Sequence, residues 1–500
     1  MLVRQSKNSF IRSTDRYGYV TNQLTQFDRV YNSTGGDFLR EITREAKDVE
    51  NIVDHLMTIY EGVTRDELKD DFVNFIQDLA KHRFVYIGDT IEEIEKQDLD
   101  FSYAENNPKT LTNTYYQETE QKVGMNTTDY FLEEIQGKPQ ISSLQFELSS
   151  RCNERCIHCY IPNAKKDAGF DMPTEKVKSI LDEFAEMGGI HVTLSGGEAF
   201  MHKDFIDIVK YCRDKDLKIS ILSNLIVLKD EQIPHLKEAN LSIVQTSLYA
   251  IRPEIHDAIT KVKGSCEKTK SAIKKLVDAD IPVQISCPIM KTNMDDYVDV
   301  LNFAKEHQIR VETDYVMMAR ADLTTDNLDQ RLSIEETEKV LRRIIENDAN
   351  YRQKTLQQIP KSEEMIIDFE RFKEQPLCSV GYDNCCITAN GDVYPCAGWQ
   401  SYVLGNVYKQ PLREIWEESD RVKQLRTIKE SSFPKCLECE AYDFCARCLV
   451  RNFNEGNGDM FKISQAFCDE AFLLKKLVEE YHAKGIVKSL YFDDIKPKGC

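Results

Sequence analysis

The chain has 500 residues, 41% of them hydrophobic and 30% charged, a balance that suits a folded globular protein and excludes a disordered one. Its formal net charge of −19 argues against a nucleic-acid partner, since such affinity rests on lysines and arginines neutralising phosphates. No apolar run approaches the roughly 20 residues of a membrane span, and the N-terminus lacks a signal-peptide core, so the expectation is a cytoplasmic protein without membrane contact, its 16 cysteines serving as metal ligands rather than disulfides.

The length predicts two to four domains. Residues 1–92 read as a small winged-helix-like α+β unit. Phe10-Ile11-Arg12 and Tyr17-Gly18-Tyr19-Val20 are strand-like around a turn, and Val30-Tyr31-Asn32 follows, closed by Gly35-Gly36. Val49, Ile52, Val53, Leu56 and Ile59 share one helical face. Thr64 with Glu67 makes a capping box for a helix carrying Leu68, Phe72, Phe75, Ile76 and Leu79, and Arg83 to Ile87 is strand-like again. The order, with Tyr60-Glu61 at a helix end and Asp70-Asp71 opening the next, resembles the PqqD-like peptide-recognition domain. The resemblance implies a ribosomal precursor peptide as partner, its leader added as an extra strand beside the sheet. Residues 93–140 are polar and punctuated by Pro and Gly, as a linker is.

From 141 to 330 apolar strand-like runs alternate with helical stretches. The runs are Leu144–Leu148, Val192–Leu194, Lys218–Leu222, Ile243–Leu248, Val283–Ile285 and Glu312–Met317, a βα repetition whose ligands belong at the carboxyl ends of the strands. Directly after the first run, Cys152, Cys156 and Cys159 stand with three and then two residues between them. Three thiolates are one short of the four an iron-sulfur cluster usually takes, which leaves one iron free for substrate; structural zinc sites normally show four ligands in pairs. Downstream, the second run ends in Ser195-Gly196-Gly197-Glu198, where glycines permit close backbone approach and a carboxylate can accept from an ammonium group. The two signals together resemble the radical SAM superfamily. That resemblance implies an α/β fold, a six-stranded partial TIM-like barrel, and a [4Fe-4S] cluster on the catalytic Cys152, Cys156 and Cys159. It also implies S-adenosyl-L-methionine bound by Gly196, Gly197 and Glu198, with His158 in the family's aromatic position and Ser223, Asn224 and Ser247 as polar contacts at strand ends. Cys212 and Cys287 read as packing residues, and Arg320, Asp322 and Tyr315 lie near the end of the last strand.

A helical bridge is expected over 331–375. Beyond it come Cys378, Cys385, Cys386, Cys396, Cys436, Cys439, Cys445, Cys448 and Cys468, with an Asn390-Gly391 turn before Cys396. This array, within 376–500, resembles the cysteine-rich SPASM extension, which implies two auxiliary [4Fe-4S] clusters. By position one takes Cys378, Cys396 and Cys448 with Cys385 or Cys386, and the other takes Cys436, Cys439, Cys445 and Cys468. A zinc ribbon on Cys436, Cys439, Cys445 and Cys448 is the chemical alternative.

The expected function is a radical S-adenosylmethionine maturase of a ribosomally made peptide. It would form an intramolecular thioether from a cysteine sulfur to a carbon, with flavodoxin or ferredoxin as reductant. Carbon-carbon or carbon-oxygen crosslinking, epimerisation and side-chain oxidation are the alternatives within the class. A non-catalytic iron-sulfur electron carrier or peptide-binding partner is the alternative outside it.

Overall fold

The computed structural model describes residues 1–104, 139–356 and 369–485. The N-terminal unit holds two small antiparallel sheets. β1 (Leu2–Gln5) lies between β5 (Lys47–Asp48) and β6 (Val85–Gly88), and β3 (Gly18–Asn22) between β2 (Ser9–Ser13) and β4 (Phe27–Tyr31). Against them pack α1 (Ser33–Glu41), α2 (Val49–Leu56) and α3 (Arg65–Lys81) around Val3, Val20, Leu39, Phe72 and Phe84. The capping box expected at Thr64 is formed, its side chain and that of Glu67 each accepting from the other's backbone.

Two local expectations fail here. Gly35 and Gly36 do not close a strand but lie inside α1, because a Cβ on Gly36 would stand 3.1 Å from the backbone of Tyr17 and one on Gly35 2.5 Å from the Tyr31 side chain. The glycines let the helix lie directly on the sheet. Ile59 is 48% exposed, since α2 stops at Leu56 and its apolar face stops with it.

A fourth helix, α4 (Ile91–Gln97), ends at Asp98, which accepts from Arg4, Ser6 and the Lys7 backbone. Most of the linker expected over 93–140, namely 105–138, lies outside the described residues, as does 357–368 of the expected bridge.

Six parallel strands follow in spatial sequence: β7 (Ser143–Ser149), β8 (His191–Gly196), β9 (Lys218–Leu222), β10 (Ile243–Ser247), β11 (Val283–Pro288) and β12 (Arg310–Asp314). Helices such as Thr174–Glu186 and Ser265–Asp278 connect them, so this is the partial barrel of a right-handed βα repeat. The last strand begins and ends a few residues earlier than its apolar run suggests. The C-terminal domain then continues the same sheet. β13 (Asn384–Ile387) pairs in parallel with β7, and β14 (Asp392–Tyr394) and β15 (Gly405–Asn406) extend it to nine strands.

The N-terminal unit docks on loops that precede barrel strands. Arg12 donates to the carbonyls of Gly189 at 2.7 Å, Lys215 at 3.0 Å and Asp216 at 2.8 Å, and Arg44 Nε to the Asp216 carboxylate at 2.6 Å. Asn240 Nδ2 reaches the Lys7 carbonyl at 2.8 Å. These contacts lie at the amino ends of β8, β9 and β10, which leaves the carboxyl ends free for chemistry.

Candidate functional site

At the carboxyl end of β7 the chain turns into the loop that carries Cys152, Cys156 and Cys159. The loop is held by its backbone. Arg155 N donates to Thr260 O and Ile157 N to Ile259 O, both at 3.0 Å, and Ala321 N to Tyr160 O at 3.0 Å. Arg320, expected near the end of the last strand, donates to the Cys159 carbonyl at 2.5 Å and forms a two-pronged pair with Asp326. Arg151 pairs with Asp171 on the loop's other flank.

Burial pushes the Cys152 thiol up to about 11 and the Cys156 thiol higher still. That is the reverse of an activated nucleophile, whose pKa is depressed. Thiolates form here against positive charge, as from metal. The buried ammonium of Lys166 hydrogen-bonds Cys159 and faces Cys152 and Cys156 too; burial lowers its pKa but the thiols together raise it. Two buried polar atoms beside the thiols, Glu154 Oε1 and His158 Nδ1, have no hydrogen-bond partner. His158 Nε2 lies 3.4 Å from the Tyr249 hydroxyl, and burial lowers the ring's pKa to about 4, so it is neutral at pH 7. Soft sulfur donors with unsatisfied polar neighbours fit a bound iron-sulfur group.

Gly196 and Gly197 sit at the end of β8 against this loop. A Cβ on Gly196 would stand 2.4 Å from Ser149 O, and one on Gly197 2.4 Å from Arg151 O. Their small size therefore admits the chain's own cysteine loop, to which Gly197 N and Glu198 N donate at 2.8 Å each. Glu198, 1% exposed, accepts from Ser223 Oγ at 2.6 Å, Asn224 N at 2.8 Å and Phe200 N at 3.1 Å, while burial raises its pKa. Ser223 and Asn224 thus orient Glu198, and Asn224 Nδ2 also reaches Asn153 of the cysteine loop at 2.8 Å. Ser247 ends β10 beside Ser286 of β11.

Glu147 was not anticipated. It is 5% exposed, on the face of β7 opposite Leu144, Phe146 and Leu148, and accepts from Gln400 Nε2 at 2.7 Å and the Tyr160 hydroxyl at 3.2 Å. Burial raises its pKa to about 7. The alternation Leu144-Gln145-Phe146-Glu147-Leu148 was the available signal, since a polar residue between buried apolar ones on a strand faces the barrel interior.

In the C-terminal domain Cys378 and Cys396 approach Cys448. Burial first, then the Cys448 and Cys396 charges, raise Cys378 to about 11. Backbone N–H groups of Val380 and of Gly398 and Ala397 point at the Cys378 and Cys396 sulfurs, as they do toward cluster thiolates. Cys436, Cys439, Cys445, Cys448 and Cys468 line one cavity of about 50 Å³ that is partly open to solvent. Arg447, stacked 4.1 Å over the Tyr442 ring and paired with Glu430, lends positive charge to Cys436 and Cys445. Among the described residues no three His, Cys, Asp or Glu side chains gather closely enough to hold a metal ion. The fifteen described cysteines are free thiols, with Cys212 and Cys287 buried in the core and Cys287 Sγ 3.8 Å from Tyr249 O.

Residues 146–304 match the family model of the Radical SAM superfamily, 378–440 that of an iron-sulfur cluster-binding domain (SPASM), and 29–85 that of coenzyme PQQ synthesis protein D. The chain is 27% identical over 324 residues to an AdoMet-dependent heme synthase of Methanosarcina barkeri, covering 62% of this chain and 91% of that protein. It is 26% identical over 314 residues to the antilisterial bacteriocin subtilosin biosynthesis protein AlbA of Bacillus subtilis, covering 62% and 67%. In fold it is similar to Streptococcus suis SuiB bound to precursor peptide SuiA, with a TM-score of 0.60, 15% identity, and coverage of 93% of this chain and 99% of that one.

Proposed function

From the premise that this chain is a radical SAM enzyme with a SPASM iron-sulfur domain and a PqqD-type N-terminal domain, we propose that it matures a ribosomally made precursor peptide by an intramolecular thioether crosslink. The observation that carries this reading is the N-terminal unit docked on the barrel. Its edge strand β4 has one paired neighbour, β3, among the described residues, and so offers a peptide the free side of a sheet. Similarity to AlbA supports a peptide as the material modified.

Cys152, Cys156 and Cys159 would hold the catalytic [4Fe-4S] cluster, and the C-terminal cysteines the two auxiliary ones. When bound, that cluster with S-adenosylmethionine supplies a 5′-deoxyadenosyl radical able to take a hydrogen atom from carbon. Arg320 fixes the Cys159 end of the loop, Gly196 and Gly197 let β8 close on it, and Glu198, oriented by Ser223 and Asn224, presents a carboxylate beside it. Thioether formation removes two hydrogens from the peptide, so the second electron needs an acceptor, which the cysteine-rich domain can carry. β13, which carries Cys385 and Cys386, pairs directly with β7 of the barrel. Flavodoxin or ferredoxin would serve as reductant in the cytoplasm.

Anaerobic reconstitution with dithionite and S-adenosylmethionine tests this. About twelve irons per chain are expected, with 5′-deoxyadenosine released and a two-dalton loss in the cognate peptide; the Cys152→Ala, Cys156→Ala, Cys159→Ala variant should lose cleavage. A second reading, modification of an iron porphyrin, is favoured by the similarity to heme synthases. Turnover of an iron porphyrin with no peptide turnover would select it.

A further inference from the structure

The adjacent cysteines Cys385 and Cys386 leave the fourth ligand of the first auxiliary set undecided by position. The sheet separates them. β13 pairs in parallel with β7, Cys385 opposite Leu144 and Cys386 opposite Gln145. Partners in register share a face, and neighbours along a strand face opposite ways. Leu144, Phe146 and Leu148 are wholly buried in the apolar core, and Cys385 belongs to that same cluster whereas Cys386 does not.

Cys386 therefore faces the barrel interior, on the side of Gln145 and Glu147. Its antiparallel partner is Tyr394, two residues before Cys396. Cys396 in turn lies beside Cys448, and both act on Cys378.

We propose that Cys386, and not Cys385, is the fourth protein ligand of the iron-sulfur cluster held by Cys378, Cys396 and Cys448. The proposal rests on the reading of the C-terminal domain as cluster-bound. It has a functional consequence: with four protein thiolates that cluster offers no open iron to a substrate sulfur, so it accepts an electron from the barrel interior without binding the peptide.

The test uses the full-length chain with Cys152, Cys156 and Cys159 changed to Ala, so that only auxiliary clusters contribute. After anaerobic reconstitution this parent should hold about eight irons. Cys385→Ala in the parent should keep that count and the parent's Mössbauer and EPR spectra. Cys386→Ala should lose between about one and four irons, and Cys386→Ser, whose oxygen can still ligate, should keep the irons but shift the spectra. Unchanged far-ultraviolet circular dichroism separates ligand loss from misfolding. Loss in Cys385→Ala with Cys386→Ala and Cys386→Ser unchanged, or no change in any of the three, overturns the assignment. A parent that loads fewer than about eight irons overturns the two-cluster reading beneath it.

Discussion

Gly197 and Arg320 govern the cysteine loop from opposite sides, and neither carries a reacting group. Replacing Gly197 with Ala would put a methyl 2.4 Å from the Arg151 carbonyl, where backbone must move. Gly197→Ala is expected to cost about 1–3 kcal/mol and to lower iron loading at Cys152, Cys156 and Cys159, read by iron content against the urea unfolding midpoint. Arg320→Ala removes the donor to the Cys159 carbonyl and leaves Asp326, whose side chain is 68% exposed, to solvent. A loss of about 1–3 kcal/mol follows from the lost charge-assisted hydrogen bond to the loop, and Arg320→Lys should recover part of it as a single-pronged donor. Iron content equal to wild type in Arg320→Ala would refute its role in fixing the loop.

Among the elements, β4 is the half-buried edge strand against which the proposed leader peptide would lie. Phe27 packs on Phe84 at 5.9 Å between ring centroids, Tyr31 on Phe75 at 4.9 Å, and Arg29 ties the strand to Asp78 of α3 at 2.9 Å. Strand addition draws affinity from backbone pairing and specificity from such side-chain pockets. The double variant Phe27→Ala, Tyr31→Ala should weaken leader binding by roughly tenfold, about 1.4 kcal/mol, as read by fluorescence anisotropy of a labelled leader. Uncoupled 5′-deoxyadenosine formation without peptide should stay at the wild-type rate, because the strand lies far along the chain from the cysteine loop and outside the barrel sheet.

At the scale of the whole molecule, the N-terminal unit and barrel meet through Arg12, Arg44 and His191. His191 stands edge-on to Tyr19 at 6.5 Å, and burial, with Lys218 and Arg12 adding positive charge nearby, lowers its pKa to about 3. In the unfolded chain a histidine titrates near 6.5. Between these values the unfolded state binds the extra proton, so stability is fully present above pH 6.5 and is lost as pH falls toward 3, by at most about 1.4 kcal/mol per pH unit. Urea midpoints at pH 7 and pH 5 should diverge in wild type and diverge less in His191→Gln, where His158 and His256, also held below the usual histidine range by burial, still contribute; equal pH dependence in both would refute the assignment.

Local spacing determined much of this protein. Three thiols within eight residues must share one loop, a Thr64–Glu67 box must cap a helix, and apolar alternation marked a βα repetition, while the six-stranded partial barrel was what the resemblance to the radical SAM superfamily implied. Strand parity carried an unread signal for Glu147, and its partners Tyr160 and Gln400 lie in separate segments that only folding brings together. Tertiary structure alone decided what depends on distant contacts. It put Arg320 on the cysteine loop, used Gly35 and Gly36 inside a helix, joined the C-terminal hairpin to β7, and turned Cys385 and Cys386 to opposite faces of one sheet. The physical reason is range: backbone periodicity is set by neighbours along the chain, whereas register and domain docking are set by which surfaces find each other after it folds.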